Sequence, residues 1–291
     1  MTLLSLIERC SARLQEAGVC FGHGTDNAFD EAVWLALWKL GLPLDDLDGV
    51  ADMALSAAQR SAIEALVEQR ITTRKPVAYL TGEAWLQGLP FHVDERVIVP
   101  RSLIAEPLAE GTLDAWMVES PHRVLDLCTG NGSLAVLAAL AWPGASVDAT
   151  DLSADALAVA RRNVERHGLG DRIRLRQGDG LAAAEGRYDL LLCNPPYVNQ
   201  ASMEGLPAEY RAEPTLALAG GADGMDFVRV LLSHVAEHLQ PQGVLVLEIG
   251  HERPHFEAAF QQLQPLWLST SAGDDQVLLA TRDALQKWSL R

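Results

Sequence analysis

The spacing of apolar and polar residues changes its period once along the chain, near residue 90. Before that point apolar residues recur at helical intervals, and the spacing predicts helices over 3–17, Asp30 to Leu40 and Ser56 to Thr72. Ser56 is a natural N-cap for the third, and Gly41-Leu42-Pro43 ends the second. Between the first two lies Phe21-Gly22-His23-Gly24-Thr25-Asp26-Asn27, a stretch of turn residues. Residues 76–119 read as a connector. Phe91-His92-Val93 and Val97-Ile98-Val99 are expected to pair as a β-hairpin, and Pro100-Arg101-Ser102 to open a helix reaching about Glu119.

From Pro121 onward, strands and helices alternate. Arg123–Cys128, Ser146–Asp151, Arg172–Gln177, Tyr188–Cys193, Gly243–Ile249 and Gln276–Ala280 read as strands, with helices over Leu134–Trp142, Ala154–His167 and Met225–Leu239. Strands separated by crossover helices make a mostly parallel, doubly wound α/β sheet. The organisation expected is therefore an N-terminal helical domain over 1–75, a hairpin-and-helix connector over 76–119, and a Rossmann-like domain over 120–291.

Composition narrows the class. Of 291 residues, 48% are hydrophobic and 21% charged, which excludes a disordered or collagen-like chain. Lys and Arg number 23 against 39 Asp and Glu, a net charge of −16. Such a field disfavours a phosphate backbone as the main partner and suits a basic protein. Cys10, Cys20, Cys128 and Cys193 form no C-x-x-C pair, and the histidines lack metal-ligand spacing, so reduced thiols and no metal are expected. No apolar run approaches the roughly 18 residues of a membrane span. Glu8, Arg9, Arg13 and Glu16 make the N-terminus an amphipathic helix rather than a signal peptide. A soluble cytoplasmic protein is expected.

In doubly wound sheets, ligands bind beyond the C-terminal strand ends. The first such loop, Asp126-Leu127-Cys128-Thr129-Gly130-Asn131-Gly132, has glycines that permit close backbone approach, but not the spacing of a dinucleotide fingerprint. At the second tip, Asp151 stands where a carboxylate can accept ribose hydroxyls, and Ser153 rather than Asp151 is the expected N-cap. At the third, Asp179-Gly180 can meet an adenine amine. A nucleoside pocket without a phosphate clamp fits S-adenosylmethionine better than NAD. The fourth tip is the most specific: Asn194-Pro195-Pro196-Tyr197. Two prolines stiffen it. The Asn194 side-chain oxygen and the Pro195 carbonyl can each accept one hydrogen of a planar –NH₂ group, with Tyr197 supplying a flat face against it. Fixing both hydrogens orients a delocalised amide nitrogen toward a methyl donor.

DLCTGNG, TDLS at 150–153, QGD at 177–179 and NPPY together resemble the class I S-adenosylmethionine-dependent methyltransferases, specifically the protein-glutamine methyltransferases of bacterial translation. The resemblance extends to VAYLTGEAWLQGLPFHVDERVIVPRSLIAE, to LPAEYRAEPTLALAGGADGMD and to LEIG. FGHGTDN, EAW at 83–85 and PRS at 100–102 are similar to the branch acting on the large-subunit ribosomal protein L-three. The branch acting on release factors has a Pro-Arg-Pro-Glu-Thr-Glu run, where this chain reads Pro100-Arg101-Ser102-Leu103-Ile104-Ala105-Glu106. The resemblance implies a seven-stranded catalytic domain that uses S-adenosylmethionine and no metal. It places Cys128, Thr129, Gly130, Asn131 and Gly132 around the methionine part of the cofactor, and counts Asp126 and Leu152 among the cofactor-binding residues. Asp151 falls to the ribose and Asp179 and Gly180 to the adenine. Asn194, Pro195, Pro196 and Tyr197 hold the substrate amide, with Asn194 also near the cofactor. Cys128 replaces the first glycine of the common pattern and is expected to keep a negative φ.

Of the remaining features, Trp34 and Trp38 read as core, and His23 as a turn-stabilising residue or a substrate contact. Glu248 reads as part of the methionine pocket or as a solvated strand end, and Arg101 as a partner for an acid in the cleft. Three rival functions share these motifs: glutamine methylation of release factors, methylation of an adenine exocyclic amine in nucleic acid, and a non-catalytic S-adenosylmethionine-binding assembly module. The lack of a basic target-recognition region argues against the second. The intact Asn194–Tyr197 loop argues against the third.

Overall fold

The computed structural model describes residues 1–289. The chain begins with a helical region whose main elements are Leu3–Glu16, Ala28–Leu40 and Ala57–Thr73. Asn27 and Ser56 cap the second and third, Ser56 through a reciprocal capping box with Gln59. Gly41 ends the second helix in the left-handed conformation that glycine adopts without a Cβ penalty. Leu6, Ile7, Leu35, Leu37, Ile63 and Val67 are buried between them, and Trp34 and Trp38 pack into the same core.

The connector departs from the sequence expectation in two places. The hairpin pairs β1 (Glu83–Leu86) with β2 (Leu89–His92), Glu83 opposite His92 and Leu86 opposite Leu89. Gln87 and Gly88 form its turn with both φ values positive, the geometry that matches strand twist. Val97, Ile98 and Val99 therefore pair with no strand; Val97 and Val99 instead fill the N-terminal core. The expected helix from residue 100 to about Glu119 is broken. Only Ala105–Ala109 is α-helical, Gly111 turns at φ 72°, and Thr112–Trp116 is a 3₁₀ turn. A glycine at positive φ interrupts the hydrogen-bond ladder there.

Seven further strands form one sheet: β3 (Arg123–Leu127), β4 (Ser146–Asp151), β5 (Ile173–Gln177), β6 (Tyr188–Cys193), β7 (Leu239–Glu248), β8 (Leu266–Thr270) and β9 (Gly273–Thr281). Their order is β5-β4-β3-β6-β7-β9-β8. β3 to β7 run parallel and β9 antiparallel to both neighbours. The sequence reading contained six of the seven; β8 escaped because LWLST lacks clear alternation. The expected helix Met225–Leu239 is Asp226–His234 followed by a 3₁₀ turn, Val235–His238.

Side chains alternate across the sheet into two cores. Val124, Leu190, Leu192, Val244 and Val246 enter one, while Leu125, Leu191, Leu245 and Leu247 enter the other. By the same alternation, Asp126 and Glu248 share the face of Val124 and Val246, so two carboxyls are buried against apolar neighbours. Among the described residues, no helix is long and apolar enough to cross a membrane.

Candidate active site

The loops after β3, β4, β5 and β6 converge beside the break in strand order between β3 and β6, as expected for a doubly wound sheet. They enclose a cavity lined by Cys128, Gly130, Asp151, Leu152, Asp179, Gly180, Asn194 and Pro196. Ile98, Leu216 and Phe227 add apolar walls. A second cavity adjoins it, lined by Asn194, Pro195, Tyr197, Arg101, Tyr210 and Glu248. Asn194 lines both.

Asp151 organises the first cavity. Its Oδ2 accepts the Gly130 amide at 2.9 Å and its Oδ1 the Ser153 amide at 2.8 Å. Ser153 Oγ caps the next helix by accepting the Ala156 amide at 3.1 Å. Burial pushes the Asp151 carboxyl up, and the backbone amides of Ser153, Gly130 and Leu152 oppose that shift. Each oxygen keeps lone-pair capacity for a hydroxyl donor. At Gly130 a Cβ would meet nothing within 4 Å, so the backbone has free space before it.

Four of the sequence-predicted cofactor residues lie behind the cavity instead of lining it. Thr129 donates its hydroxyl to Asp126 Oδ2 at 2.5 Å, and the Ala135 amide donates to the same oxygen at 3.0 Å. Burial pushes Asp126 up to about 7 against those two bonds. Asn131 Oδ1 accepts the Ser133 amide. At Gly132 (φ 82°) a Cβ would stand 3.2 Å from Ala160 Cβ, so glycine lets two helices approach. Asp126, Thr129, Asn131 and Gly132 thus hold the loop from beneath. Cys128 has φ 62°, not the negative value expected. The chain turns sharply out of β3 to place the Thr129 amide on Thr150 O at 2.9 Å, and Cys, unbranched at Cβ, tolerates the left-handed region that this requires.

The Asn194–Tyr197 loop is propped by glycines. At Gly250 a Cβ would stand 2.5 Å from the Tyr197 ring, and at Gly224 2.2 Å from Tyr197 O. Val198 pairs with the strand-like segment at 218–220, donating to Leu218 O at 2.8 Å and accepting from Gly220 at 2.9 Å. Glu248 is buried rather than solvated. It accepts from Ser102 Oγ at 2.6 Å, the Leu103 amide at 2.9 Å and Tyr197 Oη at 3.1 Å. Burial raises its pKa and also that of Tyr197.

Residues 5–82 match the PrmC N-terminal domain family and residues 111–208 the methyltransferase small domain family. The ribosomal protein uL3 glutamine methyltransferase of Bordetella pertussis is 59% identical over 290 residues, covering 98% of this chain and 96% of that protein. The chain belongs to the ribosomal protein uL3 glutamine methyltransferase family. Its relative in Burkholderia pseudomallei is 54% identical, covering 96% of this chain and 94% of that protein. A methyltransferase from Pyrococcus furiosus shares the fold at a TM-score of 0.50 and 19% identity, over 76% of this chain and 98% of that one.

Four further residues of this uL3 methyltransferase family member, Arg101, Glu213, His23 and Asn163, are set around the site by long-range contacts. Arg101 forms a two-pronged pair with Glu213, Nη1 to Oε1 at 2.6 Å and Nη2 to Oε2 at 2.7 Å. Burial pushes Glu213 up, but Arg101 and His23 outweigh it and hold the carboxyl at about 2. His23 is buried, its Nε2 3.6 Å from Glu213 Oε1, too long for a hydrogen bond. Asn163 joins hairpin to loop, donating to His92 O at 3.0 Å and Asn131 O at 2.8 Å and accepting the His92 amide at 2.6 Å. The sequence singles out Arg101 and His23, but offers no separate reading for Glu213 or Asn163.

Proposed function

We propose that this chain transfers the methyl group of S-adenosylmethionine to the side-chain amide nitrogen of a glutamine in ribosomal protein uL3. The observation carrying this reading is that Asn194, the first residue of the stiffened loop, lines both cavities, so one residue borders the donor and acceptor sites together. The relatives, both uL3 glutamine methyltransferases, support uL3 as the target. The net charge of −16 suits capture of a basic protein. The helical region 1–75 is the recognition module in this reading, residues 76–119 the connector and 120–291 the catalytic domain, in a cytoplasmic enzyme.

The first cavity suits the cofactor on its own chemistry. A half-buried carboxylate at Asp151, open space before Gly130 and apolar walls at Leu152, Ile98 and Phe227 match a ribose with its diol and a flat base beside Asp179 and Gly180. S-adenosylmethionine supplies an electrophilic methyl carbon on a sulfonium whose positive charge disappears as the methyl leaves. The protein's part is positional. Asn194 Oδ1 and the Pro195 carbonyl accept the two amide hydrogens, on a loop whose φ values the two prolines fix. Tyr197 covers the amide plane and is kept in place by Glu248. The developing positive charge on nitrogen is met by these two acceptor dipoles, so proton loss can follow transfer and no strong base is required.

Mass spectrometry of ribosomal proteins and release factors from cells with and without the gene tests the reading. Loss of a single methyl increment on a uL3 glutamine supports it. Loss on a release factor overturns the substrate, and no change in either overturns the reaction.

A further inference from the structure

The connection between β6 and the helix Asp226–His234 passes over both cavities, and two buried carboxylates fix its course. Glu209, in the turn Ala208–Arg211, takes three donors from the N-terminal region on one oxygen: the Cys20 amide at 3.0 Å, Arg70 Nη1 at 3.2 Å and Arg74 Nε at 3.0 Å. Arg70 is itself fully buried, held by Glu31 at 2.7 Å and Cys20 O at 2.8 Å. Four residues on, Glu213 is held by the connector, through Arg101 and the Val99 amide at 2.9 Å. Between the clamps Tyr210 lines the second cavity, its ring 4.3 Å from the His23 ring and 5.4 Å from the Arg101 guanidinium. Gly22, at φ 114°, makes room for it, since a Cβ there would stand 2.7 Å from Tyr210 Oη.

Burying this many charges is costly, and apolar contact would dock two domains at less expense. Charge pairs with directional donors instead set one position and orientation. We propose that Tyr210 forms a wall of the substrate cavity and that Glu209 is the positioning residue through which the N-terminal region sets it. Glu213 decouples this adjustment from Pro214, Leu216 and Ala217, which line the cofactor cavity. The inference rests on the reading of the second cavity as the substrate site. It extends that reading by assigning the N-terminal region a part in shaping the cavity, in addition to capturing substrate.

The test is a double-mutant cycle on the full chain, with methyl transfer to uL3 and S-adenosylmethionine binding measured separately. Glu209→Gln should raise KM for uL3 about tenfold while kcat and the cofactor Kd move less than about threefold. Tyr210→Ala should do the same, and the double variant should be no worse than Tyr210→Ala alone. A multiplied penalty, or an equal loss of cofactor binding in Glu209→Gln, overturns the inference. Should Glu209→Gln fail to fold, Arg74→Gln removes one donor from the same carboxylate oxygen at a partly exposed side chain. Its KM penalty should vanish in a Tyr210→Ala background, and persistence there overturns the inference. No transfer to uL3 by the wild-type chain overturns the functional reading and this inference together. Transfer with multiplied penalties overturns this inference alone.

Discussion

Tyr197 donates its phenolic proton to Glu248 at 3.1 Å, tying the stiff loop after β6 to the end of β7 in a buried pair. Ser102 and the Leu103 amide, from the connector, complete the carboxylate's partners. One acidic side chain therefore joins three segments at the cavity where a substrate amide would sit.

Tyr197→Phe leaves Glu248 Oε1 buried without that donor and should cost about 1–3 kcal/mol of stability. The lost bond favoured the ionised carboxyl, whose pKa burial already raises. Its removal lifts the folded pKa further above the unfolded one, so the loss should grow as pH rises. Chemical denaturation across pH checks this, and a pH-independent loss would contradict it. In a Glu248→Gln background the pH dependence should disappear.

Asn194→Ala should lower kcat at least about a hundredfold, because the amide loses one of the two acceptors that orient it. Cofactor Kd should change less than about threefold, since Asp151 and the apolar walls remain. Single-turnover transfer with parallel calorimetric titration separates the two, and full activity would refute the mechanism.

Asp126 gives a pH signature. Burial raises its pKa from 3.8 to about 7, so the unfolded chain releases this proton first. Its contribution is fully present below the unfolded value and is lost as pH rises through the window up to about 7. Asp126→Asn keeps an acceptor for Thr129 and Ala135 and mimics the protonated form. Thermal unfolding should therefore fall less steeply from acid to neutral pH in the variant than in the wild type. Equal slopes would mean that Asp126 is ionised in the fold throughout.

Cys128 sits at φ 62°, where a non-glycine residue is strained by about 1–2 kcal/mol. Cys128→Gly should relieve part of this and leave stability unchanged or about 1 kcal/mol higher, after the added flexibility of the unfolded chain. Cys128→Val, branched at Cβ, should lose about 2 kcal/mol or more. Urea midpoints with unchanged slopes check both, and a Val variant as stable as the wild type would show that the loop can adopt another conformation.

Much of this protein was legible in its local pattern. The run YDLLLC reads as a buried strand, and Asn194-Pro195-Pro196-Tyr197 after it as a stiff turn, because two prolines remove both freedom and donors. Spacing placed Asp151, Asp179 and Asn194 at neighbouring strand tips because a parallel sheet brings all its C-terminal ends to one edge. The connector misled for an equally local reason. Val97, Ile98 and Val99 look like a strand, yet Val97 and Val99 are apolar because they fill a core made by helices far away in sequence, and Ile98 because it walls the first cavity.

Tertiary structure alone decided which residues of the first loop face the cavity and which brace it. Asp126 and Cys128 differ by one alternation, yet one is sealed beneath Thr129 and the other lines the cavity. Tertiary structure likewise turned Glu209, Glu213 and Glu248 from unremarkable acids into buried clamps. A carboxylate's role depends on which donors reach it, and those donors, Arg70, Arg101 and Ser102, come from segments more than a hundred residues away that only folding brings near. Sequence fixes which residues can make such contacts, while long-range packing selects the ones that do.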